Sequence, residues 1–165
     1  MPEAESSSTS SPDETFEVAR ALTNVLHSGD LLVLTGELGV GKTVFAKGIG
    51  AGLGVIANIV SPTFTLAREY KTANSGVDFL HIDAYRMNSS ALDLPSELET
   101  LGIETELERA ITLIEWGSGV PELLDVKNAI YVDISLDYAA DLDENVKNTD
   151  NIGRIINVTG LGERG

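Results

Sequence analysis

The sequence predicts an α/β protein in which helices cover both faces of a mainly parallel sheet, a three-layer sandwich with antiparallel strands at the sheet edges. Short apolar segments alternate with helical segments along the chain, which is typical of parallel strands joined by crossover helices. A glycine-rich segment at residues 36–43 joins the first of these strands to a helix. Short strands also follow one another directly around residues 64–82 and 129–158, which indicates antiparallel pairing at the edges.

Composition agrees with a single globular domain. The chain has 165 residues, of which 42% are hydrophobic and 22% charged, enough apolar side chains for a core. No apolar run reaches the roughly 18 residues of a membrane-spanning helix, and the N-terminus lacks the pattern of a secretory signal. We therefore expect a cytoplasmic protein without a membrane partner. The absence of cysteine excludes disulfides, thiolate metal sites and cysteine nucleophiles.

The chain is strongly acidic. Its net charge is −15, with 11 lysines and arginines against 26 aspartates and glutamates. Proteins that bind nucleic acids tightly usually carry a basic surface that displaces counterions from the phosphates. We therefore expect no direct tight binding to nucleic acid, and a role in RNA biology would depend on protein partners. Acidity also keeps a protein soluble, which is the simpler interpretation of the charge.

The chain divides into three segments. Residues 1–12 are rich in serine and almost free of apolar side chains, which predicts a disordered tail. Residues 13–160 form the predicted domain, and residues 161–165 a flexible C-terminal end. The first helix is expected to begin near Asp13 or Thr15, either of which can cap it, and to end at Gly29.

The other elements follow from apolar runs and from the glycines and prolines that end them. Strands are predicted at residues 31–34, 64–70, 77–82, 111–114, 129–136 and 154–158. Helices are predicted at residues 42–51, 91–110 and 121–124, the second of them interrupted by Pro95 and Gly102. An acidic loop is expected from residue 137 onward.

Residues 36–43 read Gly-Glu-Leu-Gly-Val-Gly-Lys-Thr and match the pattern G-x-x-x-x-G-K-[ST] at every fixed position. Glycines allow a backbone path that turns N–H groups toward phosphate oxygens, and the following helix adds the positive end of its dipole. The lysine reaches the β- and γ-phosphates, and the threonine hydroxyl binds Mg²⁺. The pattern predicts a P-loop NTPase fold with these nucleotide-binding residues: Glu37, Leu38, Gly39, Val40, Gly41, Lys42, Thr43 and Val44.

Adenine is the expected base. GTPases read guanine with an N-K-x-D segment, but valine precedes both Lys127 and Lys147. Asp83 is followed by Ala-Tyr-Arg and so does not begin a D-x-x-G switch. We therefore expect ATP and Mg²⁺ as the ligands.

Two acidic residues follow buried apolar strands and are candidates for the second Mg²⁺ ligand of a P-loop site. Asp83 follows Phe-Leu-His-Ile, and Glu115 follows Ile-Thr-Leu-Ile. Either carboxylate could instead orient the attacking water, so both join Lys42 as candidate catalytic residues. His81 lies between apolar neighbours and is expected to be a hydrogen-bonded core histidine rather than a catalytic group.

Several motifs together carry a more specific resemblance. They are the segment at 36–43, Ser-Pro-Thr-Phe-Thr-Leu at 61–66, Glu-Tyr at 69–70, His-Ile-Asp-Ala-Tyr-Arg at 81–86 and Ile-Glu-Trp at 114–116. This set, in this order, resembles the small bacterial P-loop ATPase that works with threonylcarbamoyl transferase proteins in making N6-threonylcarbamoyladenosine at position 37 of tRNA. The resemblance extends from residue 15 to about residue 158.

The resemblance implies an ATP-binding and hydrolysing subunit that is weakly active alone and is activated by its partners, the threonylcarbamoyl transferase subunits. It implies that Thr43 and Glu115 are the Mg²⁺ ligands and that Asp83 lies near the γ-phosphate or its attacking water. Because the chain is acidic, we expect this subunit not to bind tRNA tightly by itself.

Other roles are implied by the resemblance alone. Thr15 matches a threonine near the nucleotide base, and Arg154 matches an arginine before the last strand of the nucleotide-binding fold. Residues 61–65 would form a switch-like loop near the γ-phosphate. Trp116 would lie close to the nucleotide or to the partner surface.

Two alternative functions use the same phosphate-binding loop. A small-molecule kinase needs a lid whose arginines close on the phosphates, and no arginine cluster follows Ala84. Phosphate release that does not depend on an added small alcohol or nucleoside would argue against it. A nucleotide sensor would bind ATP without hydrolysis, and pre-steady-state hydrolysis with the partner proteins present would separate it from an ATPase.

Overall fold

The computed structural model describes residues 4–60, 67–73, 78–83, 102–115, 128–138 and 152–163. In chain order the elements are β1 (Ala4–Thr9), α1 (Pro12–Leu22), β2 (Leu31–Gly36), α2 (Lys42–Leu53), β3 (Ala67–Tyr70), β4 (Phe79–Asp83), α3 (Ile103–Arg109), β5 (Ile111–Glu115), β6 (Ile130–Leu136) and β7 (Arg154–Thr159). Two 3₁₀ turns, Thr23–Val25 and Leu161–Glu163, follow α1 and β7. Within the described residues, no helix is both long enough and apolar enough to cross a membrane.

All seven strands lie in one sheet, in the order β1-β7-β6-β2-β5-β4-β3. The central strands β6, β2, β5 and β4 are parallel, whereas β3 at one edge and β7 and β1 at the other pair antiparallel. The predicted α/β class, with a parallel sheet and antiparallel edge strands, is confirmed. Because the central strands are parallel, their carboxyl ends meet at one edge of the sheet, where ligands bind in open α/β sheets.

Side chains along the strands alternate between two faces, and each face has its own apolar cluster. One face packs against α1 and α2, in a cluster that includes Ala19, Leu32, Leu34, Phe45, Ile49, Phe79 and Leu113. The other face packs against α3 and the residue after it, in a cluster that includes Val33, Leu80, Ile82, Leu107, Ala110 and Ile114. The sheet is therefore the middle of three layers, as predicted.

Helices α1 and α2 approach closely because two glycines of α2 face α1. A Cβ on Gly48 would lie 2.4 Å from the carbonyl oxygen of Phe16, and one on Gly52 would lie 2.8 Å from that of Arg20. Any larger residue would push the two backbones apart, since both contacts are with backbone atoms. The packing thus fixes the start of α1 relative to α2.

The N-terminal segment differs from the prediction of a disordered tail over residues 1–12. Residues Ala4–Thr9 form strand β1, and every one of them pairs with a residue of β7, from Ala4 opposite Thr159 to Thr9 opposite Arg154. Backbone pairing with β7 satisfies the hydrogen-bonding groups of this segment, so apolar side chains are not needed to order it. The folded domain therefore includes residues ahead of the predicted boundary at 13.

Helix α1 begins and ends earlier than predicted. Ser11 is its N-cap, since the Ser11 hydroxyl accepts a hydrogen bond of 3.1 Å from the Glu14 N–H. Pro12 occupies the first helical position, where a missing N–H carries no penalty. The predicted capping residues, Asp13 and Thr15, lie two and four residues after Ser11, so neither is the N-cap. The helix ends at Leu22 rather than at Gly29, because a 3₁₀ turn follows it.

The remaining described elements agree closely with the predicted ones. Strands β2 and β4 to β7 and helix α2 confirm the predicted segments to within two residues at each end, and α3 is the last part of the helical region predicted at 91–110. A 3₁₀ turn stands where part of a flexible C-terminal end was predicted. The predicted helix at 121–124, the loop at 61–65, Trp116 and most of the acidic loop lie outside the described residues.

Candidate functional site

Three glycines shape the loop between β2 and α2. Gly36, Gly39 and Gly41 have φ values of +156°, +79° and +115°, which residues with side chains rarely adopt. A Cβ on Gly36 would also lie 2.7 Å from the carbonyl oxygen of Ile134 on the neighbouring strand β6. The loop therefore follows a path that favours glycine at all three positions, and a side chain at position 36 would also clash with β6.

Helix α2 directs the N–H groups of its first turn toward this loop. The first hydrogen bond within the helix joins the Phe45 N–H to the carbonyl of Gly41. The N–H groups of Lys42, Thr43 and Val44 precede it and lie in the first turn of the helix, where N–H groups point outward from the helix end. Together with the helix dipole, such N–H groups form a site for anions. Thr43 is exposed on this first turn.

Lys42 folds back over the loop. Its Nζ donates hydrogen bonds to the carbonyls of Gly36 at 2.6 Å and Glu37 at 3.4 Å, and only 6% of the residue is exposed. Burial lowers the pKa of Lys42, while the carboxylates of Glu115 and Asp83 act to raise it. The ammonium group is thus held inside the loop, within electrostatic reach of both carboxylates.

The carboxyl ends of β4 and β5 bring those two carboxylates side by side. Asp83 lies opposite Glu115 in the strand register, and Glu115 lies opposite Leu34 of β2 on its other side. Side-chain alternation directs both toward the face covered by α2, where Leu34 also packs. Glu115 is 4% exposed, and Asp83 is half-buried. We call Lys42, His81, Asp83 and Glu115 the carboxylate edge.

His81 completes the carboxylate edge. It is fully buried on β4, two residues before Asp83, and its Nε2 lies 3.2 Å from Oε1 of Glu115. Its ring stacks on that of Phe79, with centroids 6.1 Å apart. The prediction of a buried, hydrogen-bonded histidine is confirmed. Its partner, which the sequence did not reveal, is one of the two candidate carboxylates.

A second feature lies on the opposite side of β2. A cavity of about 160 Å³ opens between the loop, the start of α1 and the start of β7. We call it the side cavity, and it is lined by Ser11, Pro12, Thr15, Gly39, Val40, Gly41, Val44, Ile152 and Arg154. The structure therefore brings Thr15 and Arg154, which are far apart in the sequence, to the same side of the loop.

Three side chains hold the walls of the side cavity together. The hydroxyl oxygens of Thr9 and Thr15, both buried, are 2.9 Å apart and join β1 to α1. Thr9 lies opposite Arg154 in the register of β1 and β7. The Arg154 Nε in turn donates a hydrogen bond of 2.8 Å to the Val40 carbonyl of the loop. Strand β1 is thus part of the framework of the cavity.

Some residues of the side cavity were not predicted. Ser11, Pro12 and Ile152 line it, whereas the predicted residues Glu37 and Leu38 are exposed at the loop tip and are not among the lining residues. The sequence could have indicated Ser11 and Pro12, because Ser-Pro-Asp-Glu at 11–14 is typical of a helix start. It combines an N-cap serine with a proline at the first helical position and a glutamate at the third. No local pattern marks Ile152.

A glycine-rich loop between a parallel strand and a helix, with carboxylates at the ends of adjacent strands, defines a P-loop NTPase fold of the nucleotide-binding class. The crystal structure of Bacillus subtilis YdiB has this chain's fold, with a TM-score of 0.69 and 29% identity over 99% of this chain and 90% of that one. The chain belongs to the family described as threonylcarbamoyl adenosine biosynthesis protein TsaE, which matches residues 9–146.

Relatives from several bacteria agree with this assignment. A protein of Streptomyces coelicolor named tRNA threonylcarbamoyladenosine biosynthesis protein TsaE is 39% identical over 149 residues, which cover 90% of this chain and 91% of that protein. Its namesake in Mycobacterium tuberculosis is 38% identical over 136 residues, or 81% of this chain and 79% of that protein. The resemblance drawn from the motifs is confirmed, and the chain's role lies in the biosynthesis of threonylcarbamoyladenosine in tRNA.

Proposed function

We propose that this chain is the subunit that binds and hydrolyses ATP during threonylcarbamoyladenosine synthesis, acting with threonylcarbamoyl transferase proteins. One observation carries the proposal. Lys42 is buried in a loop of P-loop geometry, and the carboxylates of Asp83 and Glu115 lie within its electrostatic reach at the carboxyl ends of neighbouring strands. A triphosphate with a divalent cation needs this combination of one fixed cation, N–H groups at the start of a helix and a nearby carboxylate.

In the proposed complex, the loop binds the phosphates of ATP and the side cavity binds its nucleoside. The N–H groups at the start of α2 and the Lys42 ammonium bind the β- and γ-phosphates. A nucleoside joined to phosphates in the loop lies in the side cavity, because residues 39–41 belong to both. Thr15, Val44 and Arg154 then form its walls, and the resemblance independently implies that Thr15 lies near the base.

The carboxylate edge fits a magnesium ion that is shared with phosphates. Among the described residues, no three histidine, aspartate or glutamate side chains form a metal cage. Mg²⁺ does not require one, since it commonly takes one or two protein carboxylates and completes its octahedron with phosphate and water. The buried Glu115 carboxylate and the exposed Thr43 hydroxyl are the proposed protein ligands.

The same residues supply what hydrolysis of the γ-phosphate requires. When bound, Mg²⁺ neutralises part of the charge on the phosphates. Lys42 stabilises the negative charge that develops on the γ-phosphate oxygens. Asp83, the more exposed of the two carboxylates, orients the attacking water by accepting a hydrogen bond from it. A basic residue of a partner protein would complete the charge stabilisation, so we expect the isolated subunit to be only weakly active.

Phosphate release from ATP tests this proposal directly. We expect the full chain to release phosphate slowly alone and faster when the threonylcarbamoyl transferase proteins are added, with no need for a small-molecule phosphate acceptor. Lys42→Ala should abolish both rates. ATP binding without any hydrolysis, in a pre-steady-state measurement with the partners present, would show that the chain is a nucleotide sensor instead.

The proposed partners are proteins rather than tRNA, in the cytoplasm. Eleven basic residues against 26 acidic ones give the chain a charge of −15, which opposes contact with a polyphosphate backbone. We predict no tRNA binding in an anisotropy titration at about 0.15 M salt, a physiological ionic strength. Binding in the micromolar range or tighter, without partner proteins, would contradict this and reveal a local basic surface.

A further inference from the structure

His81 is a buried polar residue that the proposed chemistry does not use. It has no exposed surface, and its ring lies in a row of aromatic side chains in which Tyr70 stacks on Phe79 and Phe79 on His81. A phenylalanine or leucine would fill such a place without the cost of burying an imidazole. The histidine therefore needs a reason, and its contact with Glu115 offers one.

The contact also indicates which ring nitrogen carries the proton. Nε2 lies 3.2 Å from Oε1 of Glu115, whereas Nδ1 has no hydrogen-bond partner among the described residues. A carboxylate only accepts hydrogen bonds, so Nε2 must be the donor. A second N–H at Nδ1 would be buried without a partner, which costs more than leaving a lone pair there. Nε2 is therefore the nitrogen that donates to Glu115 in this contact.

We propose that His81 is a positioning residue, which holds Oε1 of Glu115 and so restricts the carboxylate that would bind the cation. This inference rests on the proposed role of Glu115 as a Mg²⁺ ligand. A glutamate side chain has three rotatable bonds, and a hydrogen bond to one oxygen restricts them before the metal arrives. Residues that orient metal ligands in this way typically change metal affinity by about 10- to 100-fold when they are removed.

The alternative is that His81 only fills the core beside Phe79. That role would affect stability and would not distinguish between nucleotide with and without metal. The two roles therefore separate in a measurement of Mg²⁺ affinity, made independently of hydrolysis.

The experiment titrates a fluorescent, non-hydrolysable ATP analogue into the full chain, first in EDTA and then at increasing Mg²⁺. His81→Leu fills the space and removes the donor, whereas His81→Gln keeps an N–H at a reach similar to Nε2. His81→Asn also keeps an N–H but is one methylene too short to reach Glu115. We expect His81→Leu and His81→Asn to raise the Mg²⁺ midpoint by about tenfold or more, His81→Gln to stay within about threefold, and affinity in EDTA to be unchanged.

A double variant shows whether the effect passes through Glu115. In the Glu115→Gln background, His81→Leu should cause no further change in the Mg²⁺ midpoint. Equal midpoints for His81→Gln and His81→Asn would overturn the inference, even if His81→Leu failed to fold. If the Mg²⁺ midpoint rises in Glu115→Gln but not in the folded His81 variants, the inference about His81 is overturned and the proposed function is not. A wild type whose affinity does not depend on Mg²⁺ overturns the magnesium assignment of the proposed function and this inference with it.

Discussion

The carboxylate edge and the side cavity lie on opposite sides of strand β2, and they are built in different ways. The carboxylate edge uses adjacent parallel strands, β2, β5 and β4, whose carboxyl ends coincide. The side cavity uses β7 and β1, antiparallel strands from opposite ends of the chain, together with the start of α1. The first is fixed by the parallel sheet itself. The second is fixed by the pairing of β1 with β7 and by side-chain hydrogen bonds between α1 and β1 and between β7 and the loop.

This difference separates two contributions to the proposed function. The carboxylate edge carries the charges, with Lys42 within electrostatic reach of Asp83 and Glu115, and is the part proposed to govern the phosphates, the cation and hydrolysis. The side cavity is bordered by small and apolar side chains and by Arg154, and is the part proposed to hold the nucleoside. Substitutions in the two regions should therefore have effects of different kinds.

Loss of Lys42 should have the largest effect. Lys42→Ala removes a charge-assisted contact to two phosphates while keeping the backbone path of the loop, so we expect nucleotide affinity to fall by about 100-fold or more. Lys47→Ala is the matched control, because Lys47 lies on the same helix and is exposed. Affinities come from equilibrium titration with a fluorescent ATP analogue. Near-wild-type affinity and hydrolysis in Lys42→Ala would refute the assignment of the loop.

The two carboxylates should separate binding from hydrolysis. Glu115→Gln keeps the size of the side chain and loses the charge, so we expect retained nucleotide binding with hydrolysis about 10- to 100-fold slower. Phosphate release with partner proteins present measures this, and Asp83→Asn is tested in parallel. Normal hydrolysis in Glu115→Gln together with loss in Asp83→Asn would mean that the metal is held by β4 rather than by β5.

The sequence predicted the carboxylate edge better than the side cavity, and the reason is physical. The loop motif is local, and the rule that parallel strands end together places Asp83 and Glu115 near it without knowledge of the packing. The pairing of His81 with Glu115 was out of reach, because it needs the register of β4 against β5.

Strand β1 shows the opposite case. Its sequence, Ala-Glu-Ser-Ser-Ser-Thr, has no apolar face, and all its side chains except Ser7 and Thr9 are exposed. Its order comes from backbone pairing with β7, which lies at the other end of the chain. Composition describes side chains, so it predicted a disordered tail for a segment that the main chain holds in place.

The smallest effect should come from the hydrogen bond that ties β1 to α1. Thr9→Val keeps the shape and leaves the buried Thr15 hydroxyl without its partner, so we expect a loss of about 1 to 3 kcal/mol in the free energy of unfolding. Adding Thr15→Val should recover part of that loss, because neither hydroxyl is then left unpaired. Urea denaturation measures both, with the exposed Ser8→Ala as the control. Additive losses in the double variant would show that the two hydroxyls do not interact.

Competition between ATP and inorganic tripolyphosphate tests the division between the two regions most directly. Lys42 and Val44 lie two residues apart on α2, but only Val44 lines the side cavity. The experiment compares Lys42→Ala with Val44→Ala. We predict that Lys42→Ala weakens both ligands by a similar factor. Val44→Ala should weaken ATP by up to about tenfold, from two methyl groups lost beside the nucleoside, and leave tripolyphosphate unchanged. Equal weakening of both ligands by Val44→Ala, or selective weakening of ATP by Lys42→Ala, would contradict the account.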